Sequence, residues 1–336
     1  MPDLVPVAVI TGFLGSGKTT LLRGLLRSPG FARTAVIVNE FGEIGLDHAL
    51  IETSDESLVQ LTTGCLCCAV RGDLTRTLLD LAARRSAGTA RFDRVVIETS
   101  GLADPAPILH ALMADALVAS IYALHQVVTI VDAVHGGATL DAQVEARRQV
   151  AVADRVLFSK TDLADPGALR DRVAALNPSA AIGATTAPDI AERVLQAAAP
   201  RDRPWMAWLS PPAFAPQHTD GIGTALVLRD RPLPGAALAL FLPALTAHAG
   251  ARLLRVKGLV DIEEMPGRPA LIHGVQHVFS PPEWLDRWPS TDRRTRIVLI
   301  GRGIPPHWPT RLLDAIEEEV RAEAAARQGG LGGGGR

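Results

Sequence analysis

The stretch of sequence that decides the fold is Val7-Ala-Val-Ile-Thr-Gly-Phe-Leu-Gly-Ser-Gly-Lys-Thr19. Its first five residues form an apolar run with the length of a buried strand, and a helical pattern begins at Lys18. Residues 12–19 fit the pattern G-x-x-x-x-G-K-[ST], in which glycines let backbone N–H groups converge on a polyphosphate at the positive end of a helix dipole. The segment therefore predicts a phosphate-binding loop between a strand and a helix.

Short apolar runs alternate with helical patterns through the first 199 residues. After Val7–Thr11, the predicted strands are Ala35–Val38, Val95–Glu98, Val127–Val131 and Arg155–Phe158. The predicted helices are Lys18–Leu26, Gly72–Arg85, Ala106–Leu117, Asp141–Val150, Pro166–Leu176 and Asp189–Ala198. This alternation predicts an α/β fold of the P-loop NTPase type, a doubly wound and mostly parallel sheet that binds ligands at the carboxyl ends of its strands.

The composition changes after residue 199, where prolines follow one another closely. We therefore divide the chain into a P-loop domain (1–199), a Pro-rich linker (200–222), a smaller α+β domain (223–328) and a disordered Gly-rich tail (329–336). In the smaller domain we predict strands at Thr224–Leu228, Leu253–Val260, Ala270–Val275 and Arg296–Ile300, and helices near Gly235–His248 and Thr310–Arg327.

Charge and composition exclude several classes of protein. A 47% hydrophobic chain with 21% charged residues is typical of a soluble globular protein, and a net charge of -2 predicts neither nucleic-acid nor membrane binding. The amino terminus lacks the basic segment of a signal peptide, and the longest uncharged stretch, Pro232–Ala251, is interrupted by prolines and glycines. We therefore expect a cytoplasmic protein.

The phosphate-binding loop supplies most of the predicted nucleotide contacts. Lys18 places a positive charge at the β- and γ-phosphates, and the Thr19 hydroxyl can ligate Mg²⁺. We assign Lys18 and Thr19, together with Glu98, to catalysis. The predicted nucleotide-binding residues of this segment are Gly12, Gly15, Ser16, Gly17, Lys18, Thr19 and Thr20.

Two further strand ends carry nucleotide motifs. Ser159-Lys-Thr-Asp162 resembles the guanine-specificity element N-K-x-D, in which the carboxylate accepts hydrogen bonds from guanine and the Lys160 stem lies along the base; Ser159 cannot make every contact of an Asn. Glu98-Thr-Ser-Gly101 supplies an acid for Mg²⁺ and its waters and a Gly101 N–H that can sense the γ-phosphate. The alternative for both motifs is an ordinary strand end with a structural role.

All three cysteines, Cys65, Cys67 and Cys68, lie within four positions, too few and too close for a disulfide scaffold. Three thiolates in one loop suit Zn²⁺, Co²⁺ or Cu⁺ and leave a fourth position for another ligand. Glu40 and Glu43, in a loop at the position of a GTPase switch, could complete that shell or help to hold Mg²⁺. The alternatives are inert buried cysteines, a redox sensor, and a solvated acidic loop.

Lysine is scarce in this chain: only three of the 34 basic residues are lysines. Lys18 and Lys160 lie in nucleotide motifs, where a compact charge is not replaced by a guanidinium fork. Lys257 has no assigned role, and we consider both a contact between the domains and a surface position at a strand end.

Together these motifs resemble the CobW-type metal-handling GTPases. Five segments occur in the family's order: Gly12–Leu22, Val38–Asp47, Leu61–Cys68, Val95–Ile108 and Val156–Leu163. Arg252–Gly258, Gly274–Phe279 and Asp292–Ile304 are similar to the family's carboxyl-terminal domain. The segment Gly101–Ile108 and the lack of a His-rich insert resemble the YjiA-like branch in particular.

The resemblance implies a GTPase that uses GTP and Mg²⁺ to deliver zinc, or cobalt in some branches, to a client metalloprotein. It places Cys65, Cys67 and Cys68 in the metal motif, and Lys18, Thr19, Lys160 and Asp162 in nucleotide motifs. We expect slow intrinsic hydrolysis, since such enzymes often need a group supplied by a partner. Two alternatives are a GTPase that matures one metallo-cofactor with structural cysteines and a non-catalytic metal buffer; a homo-oligomer is left open.

Overall fold

The computed structural model describes residues 4–38, 58–60, 67–195 and 221–331, with side chains described for 4–38, 74–195 and 221–327. The chain divides into two compact units, Met1–Trp208 and Leu209–Arg336. Each unit is described by itself below. The predicted linker 200–222 lies almost wholly outside the described residues, so the domain boundaries stay a prediction.

The first unit is built on a parallel sheet. Within the described residues its strands are β1 (Val5–Thr11), β2 (Thr34–Val38), β3 (Leu58–Gln60), β4 (Arg94–Glu98), β5 (Tyr122–Asp132), β6 (Arg155–Ser159) and β7 (Ala181–Ala184). Their order in the sheet is β3-β2-β4-β1-β5-β6-β7, and every pairing is parallel. The predicted α/β, P-loop NTPase fold class is confirmed.

Helices connect these strands, as a parallel sheet requires. They are α1 (Lys18–Leu26), α2 (Cys67–Ser86), α3 (Ala106–Ala114), α4 (Ala116–Ala119), α5 (Gly136–Ala142), α6 (Val144–Val152), α7 (Gly167–Leu176) and α8 (Ile190–Leu195). The strands are buried along most of their length, which agrees with their continuous apolar runs. Because β1 lies between β4 and β5, the loop after β1 is flanked by the ends of those two strands.

Three predicted helices are wrong in their extent. The helix expected at Gly72–Arg85 begins earlier, at Cys67, so Cys67 and Cys68 lie in the first turn of α2 and not in a loop. The other two are broken. The helix expected at Ala106–Leu117 is broken at Asp115, whose carboxylate accepts hydrogen bonds from Leu117 N (3.1 Å) and Val118 N (3.2 Å) and caps α4. The helix expected at Asp141–Val150 is two helices, α5 and α6, separated by the extended backbone of Gln143. In both places one polar residue lets the chain change direction inside an otherwise helical pattern.

The second unit is a smaller α+β domain, also as predicted. Its strands are β8 (Ile222–Arg229), β9 (Leu253–Val260), β10 (Ala270–Val275), β11 (Val278–Phe279), β12 (Glu283–Trp284) and β13 (Thr295–Arg302), in the antiparallel order β11-β10-β9-β13-β8 with β12 beside β10. Helices α9 (Gly235–Ala249) and α10 (Trp308–Leu331) complete it. The core contains Phe241, Leu245, Val256, Ile297 and Leu313.

Two details of the second unit, and one of the described residues as a whole, bear on the sequence predictions. Helix α10 continues to Leu331, into the segment that we assigned to the tail. Lys257 lies within β9 and is 2% exposed, so its interpretation as a surface residue is wrong. Within the ranges that the structure describes, no helix is long and apolar enough to cross a membrane.

Candidate nucleotide-binding site

The phosphate-binding loop runs from the end of β1 to the start of α1. Its three glycines, Gly12, Gly15 and Gly17, have φ values of +143°, +70° and +93°. At Gly12 a side chain is also excluded sterically, because a Cβ would lie 2.4 Å from the Ile130 carbonyl oxygen. The loop can therefore lie directly on β5, in a backbone conformation that favours glycine.

Lys18 begins α1 with its side chain folded along the loop. Its Nζ donates to the carbonyl oxygens of Gly12 (2.9 Å) and Phe13 (3.3 Å), and only 8% of the residue is exposed. The ammonium group is thereby placed inside the loop at the amino terminus of a helix. Its positive charge and the positive end of the helix dipole both favour binding of an anion there. Ser16, in the same loop, has a buried hydroxyl with no hydrogen-bond partner among the described residues.

Thr19 connects the loop to the end of β4. Its Oγ1 donates to Glu98 Oε1 at 2.7 Å, and Glu98 is 3% exposed. One residue further along, the Thr99 hydroxyl donates to Thr11 Oγ1 at 2.8 Å and ties the ends of β4 and β1 together. A hydroxyl and a carboxylate held side by side are oxygen donors of the kind that Mg²⁺ prefers.

The turn after β4 packs closely on the phosphate-binding loop. A Cβ at Gly101 would lie 2.7 Å from the backbone nitrogen of Leu14, so only glycine fits at this position without moving one of the two segments. The backbone of Gly101 is thus held against the loop that would surround the phosphates. This placement suits the predicted contact of its N–H with a γ-phosphate.

The motif after β6 contacts the same loop. Ser159 Oγ donates to the Ser16 carbonyl oxygen at 2.7 Å, so its hydroxyl tethers the loop. Lys160 has a left-handed backbone (φ +55°), and its Nζ donates to Asp132 Oδ2 at 2.6 Å. Asp162 is exposed at the start of the following turn. The structure therefore places the start of this motif against the phosphate-binding loop, and its role in binding guanine stays a prediction.

Asp132 ends β5 and holds the turn that follows it. Its Oδ1 accepts from Val134 N (2.8 Å) and His135 N (3.2 Å), in addition to the Lys160 bond on Oδ2. Burial raises the pKa of this carboxyl, but the hydrogen bonds from Lys160, Val134 and His135 outweigh it, so that the pKa lies below the usual value. The ionised form is therefore stabilised by folding.

We expect Asp132→Asn to destabilise the protein by about 1–3 kcal/mol at pH 7, because it weakens hydrogen bonds to a charged group. The folded-state pKa is lowered, so this contribution is present above the unfolded-state pKa near 3.8 and is lost as the pH falls through the lower folded-state value. Urea unfolding should be measured from pH 7 to pH 3. The difference in free energy of unfolding between wild type and Asp132→Asn should shrink below about pH 4. Asp171→Asn, at an exposed position on α7, is the control; a gap that stays constant with pH would contradict the prediction.

A pocket of about 140 Å³ adjoins the phosphate-binding loop on the side of α5 and α6. It is lined by loop residues Phe13–Ser16, by the end of β5, and by side chains that include His135, Gln149 and Lys160. The described groups thus converge at one edge of the sheet, where a ligand of an α/β fold binds.

The predicted metal ligands are not placed by this geometry. Glu40, Glu43 and Cys65 lie outside the described residues, and Cys67 and Cys68 are described only as the first two backbone positions of α2. Among the side chains that the structure does describe, no group of three His, Cys, Asp or Glu could hold a metal ion. The metal site therefore stays a prediction from sequence.

Two residues of this edge were missed by the sequence analysis. Asp132 directly follows the predicted strand Val127–Val131, and a polar residue at a strand end is a signal that could have found it. Gln149 lies in α6 and is completely buried, with its amide donating to backbone carbonyls. Nothing in the local sequence distinguishes it from a glutamine on an exposed helix face.

Comparisons with known proteins agree with this geometry. Residues 6–183 match the family model described as "CobW/HypB/UreG, nucleotide-binding domain", and residues 222–317 match "Cobalamin synthesis protein cobW C-terminal domain". The zinc chaperone YjiA of Escherichia coli is 33% identical over 334 residues, covering 96% of this chain and 98% of the relative. The zinc-regulated GTPase metalloprotein activator 1 of Schizosaccharomyces pombe is 35% identical over 194 residues, covering 55% of this chain and 46% of the relative.

A solved structure is similar over nearly the whole chain. The crystal structure of the Zn(II)-bound YjiA GTPase from E. coli is 29% identical, with a TM-score of 0.71, and the match covers 94% of this chain and 99% of that one. The likeness thus extends through both units.

Proposed function

The chain belongs to the CobW family of nucleotide-binding proteins, and from this premise we propose that it is a GTPase whose cycle delivers zinc to a client metalloprotein. GTP hydrolysis is the activity of this chain, in line with the relatives that are named GTPases. Its use for metal delivery is the further step of the proposal. Cobalt is the alternative cargo.

The observation that carries the proposal is the contact between Thr19 and Glu98 beside Lys18. Lys18 would bind the β- and γ-phosphates, and the backbone of Gly12–Gly17 would surround them. Thr19 and Glu98 would hold Mg²⁺, which when bound neutralises charge on the β- and γ-phosphates. Glu98 is buried at a strand end, so the carboxylate is held in place before the nucleotide binds.

For the base we assign the motif after β6. Asp162 would accept the hydrogen bonds of guanine, and Lys160, held by Asp132, would lie along the ring. Ser159 uses its hydroxyl to hold the phosphate-binding loop at Ser16, which supports a role in loop position rather than in reading the base. Discrimination of guanine would then depend chiefly on Asp162.

Metal delivery requires that the nucleotide state changes metal affinity. We propose that GTP orders the segment containing Glu40 and Glu43, which brings a carboxylate to the thiolates of Cys65, Cys67 and Cys68. Hydrolysis would release the segment and loosen the metal. By linkage, the factor by which GTP raises zinc affinity equals the factor by which zinc raises GTP affinity.

Equilibrium dialysis of zinc tests the coupling directly. We expect at least a fivefold higher zinc affinity with a non-hydrolysable GTP analogue than with GDP, since coupling free energies of this kind start near that factor. The same ratio should appear when the affinity of the analogue is measured with and without zinc. Equal zinc affinities in the two nucleotide states would remove the driving force for delivery.

The alternatives are separated by two further measurements. A non-catalytic metal buffer would release no phosphate from GTP, whereas we expect slow release that Lys18→Met abolishes. A GTPase with structural cysteines would hydrolyse GTP but show no zinc coupling. The cytoplasmic location stays a prediction from the sequence.

A further inference from the structure

Helix α6 is tied by a buried side chain to the turn that follows β4. Gln149 Nε2 donates to the carbonyl oxygens of Gly101 and Ala103, each at 3.1 Å. Gln149 is 0% exposed, and a buried amide is costly unless it is hydrogen-bonded. The buried amide of Gln149 therefore depends on the two carbonyl oxygens of the turn, because it is shielded from water.

A second contact fastens the same turn. Arg148 Nη1 lies 3.1 Å from Asp104 Oδ2, and both side chains are about seven-tenths buried. The helix itself is fixed to the sheet at this point, because Thr129 Oγ1 on β5 donates to the Gln149 carbonyl oxygen at 2.7 Å. Strand β5, helix α6 and the turn are thus joined by a continuous set of hydrogen bonds and an ion pair.

The other side of the turn contacts the phosphate-binding loop. Gly101 approaches the backbone of Leu14 so closely that even a methyl group would not fit between them. The turn is consequently held between Gln149 on one side and Leu14 on the other. A small displacement on the α6 side would move the Gly101 backbone relative to the loop.

We propose that Gln149 is a positioning residue for GTP: it sets the place of the Gly101 N–H, and through it the preference of the site for a nucleotide with a γ-phosphate over GDP. The proposal rests on the proposed function, since it takes GTP as the substrate. The Nε2 group of Gln149 is engaged by the turn, through the carbonyl oxygens of Gly101 and Ala103. Its loss should therefore act on the γ-phosphate and leave the β-phosphate contacts of Lys18 intact.

The chain offers a matched control. Gln126 is 1% exposed, and its Nε2 also donates to two backbone carbonyls, those of Arg193 and Val194 at the end of α8. Gln126→Met and Gln149→Met therefore remove the same group from the same kind of contact. Only the second contact involves the turn beside the phosphate-binding loop.

The experiment measures the affinities of a non-hydrolysable GTP analogue and of GDP, with Mg²⁺, for wild type and both variants. We expect Gln149→Met to lower the analogue affinity about tenfold relative to GDP, as the loss of two hydrogen bonds predicts. Gln126→Met should lower the unfolding midpoint about as much as Gln149→Met does. It should leave the ratio of analogue affinity to GDP affinity unchanged. An unchanged ratio in Gln149→Met, or an equal change in both variants, overturns the proposal.

A milder variant covers the case in which Gln149→Met does not fold. Arg148→Gln removes the ion pair with Asp104, whose side chains are about seven-tenths buried, and should shift the same ratio in the same direction by about two- to fivefold. The absence of a shift overturns the proposal. The wild-type arm separates this inference from the proposed function. If wild type neither hydrolyses GTP nor prefers the analogue, the proposed function fails; if wild type does both and the variants keep the preference, only the role of Gln149 fails.

Discussion

Thr19→Val is expected to lower the rate of GTP hydrolysis about 10²–10³-fold, the usual loss when one preorganised polar group is removed from a reaction site. Valine has nearly the shape of threonine, so the change removes the hydroxyl and little else. The hydroxyl that donates to Glu98 Oε1 at 2.7 Å is the group we assign to Mg²⁺. The defect should therefore be partly relieved at raised Mg²⁺ concentration, which phosphate release measured across a Mg²⁺ titration would detect.

Thr34→Val is the matched control for this experiment. Thr34 is buried at the start of β2, at the opposite edge of the sheet from the phosphate-binding loop, and its hydroxyl has no hydrogen-bond partner among the described residues. The same substitution there should leave hydrolysis within about twofold of wild type and stability unchanged or slightly raised. Equal losses in the two variants would mean that Thr19 acts through folding and not at the metal.

Cys67→Ala is expected to lower zinc affinity about 100-fold or more while the protein remains folded. Mutation of a residue that only hydrogen-bonds to a metal ligand typically lowers metal affinity about 10–100-fold. The loss of a thiolate ligand itself should lower it at least as much. The difference in zinc affinity between the GTP-analogue state and the GDP state should disappear as well. Competition with a zinc-binding dye, in the analogue and GDP states, measures both effects.

The control for the cysteine variant is Arg71→Ala, which lies one turn further along α2 and removes no sulfur ligand. It should retain wild-type zinc affinity. Thermal unfolding of Cys67→Ala separates the two roles of the cysteines, because a structural role predicts loss of the fold and a delivery role predicts a folded protein without a metal response. Unchanged zinc affinity in Cys67→Ala would remove that residue from the metal site.

The sequence predicted well those features that depend on short-range patterns. The phosphate-binding loop was found because its glycines, lysine and threonine occur at fixed spacing between a strand and a helix that begins at Lys18. Five of the seven strands described in the first unit were found from continuous apolar runs, since strands buried on both faces carry no polar alternation. Strands β3 and β7 were missed, because with three and four residues they are too short to form such a run. The breaks at Asp115 and Gln143 were missed, because a single polar residue inside a helical pattern is equally compatible with a continuous helix.

The candidate site shows the same division. The sequence by itself determined the residues at the strand ends, because a backbone that turns sharply needs glycine and a phosphate needs a cation, and both requirements act within a few positions. Only the tertiary structure decided which of those residues meet. Lys160 reaches Asp132 across 28 positions, Gln149 reaches Gly101 across 48, and Ser159 reaches Ser16 across 143. These contacts depend on the order of the strands in the sheet and on where each loop emerges, and neither leaves a periodic trace in the chain.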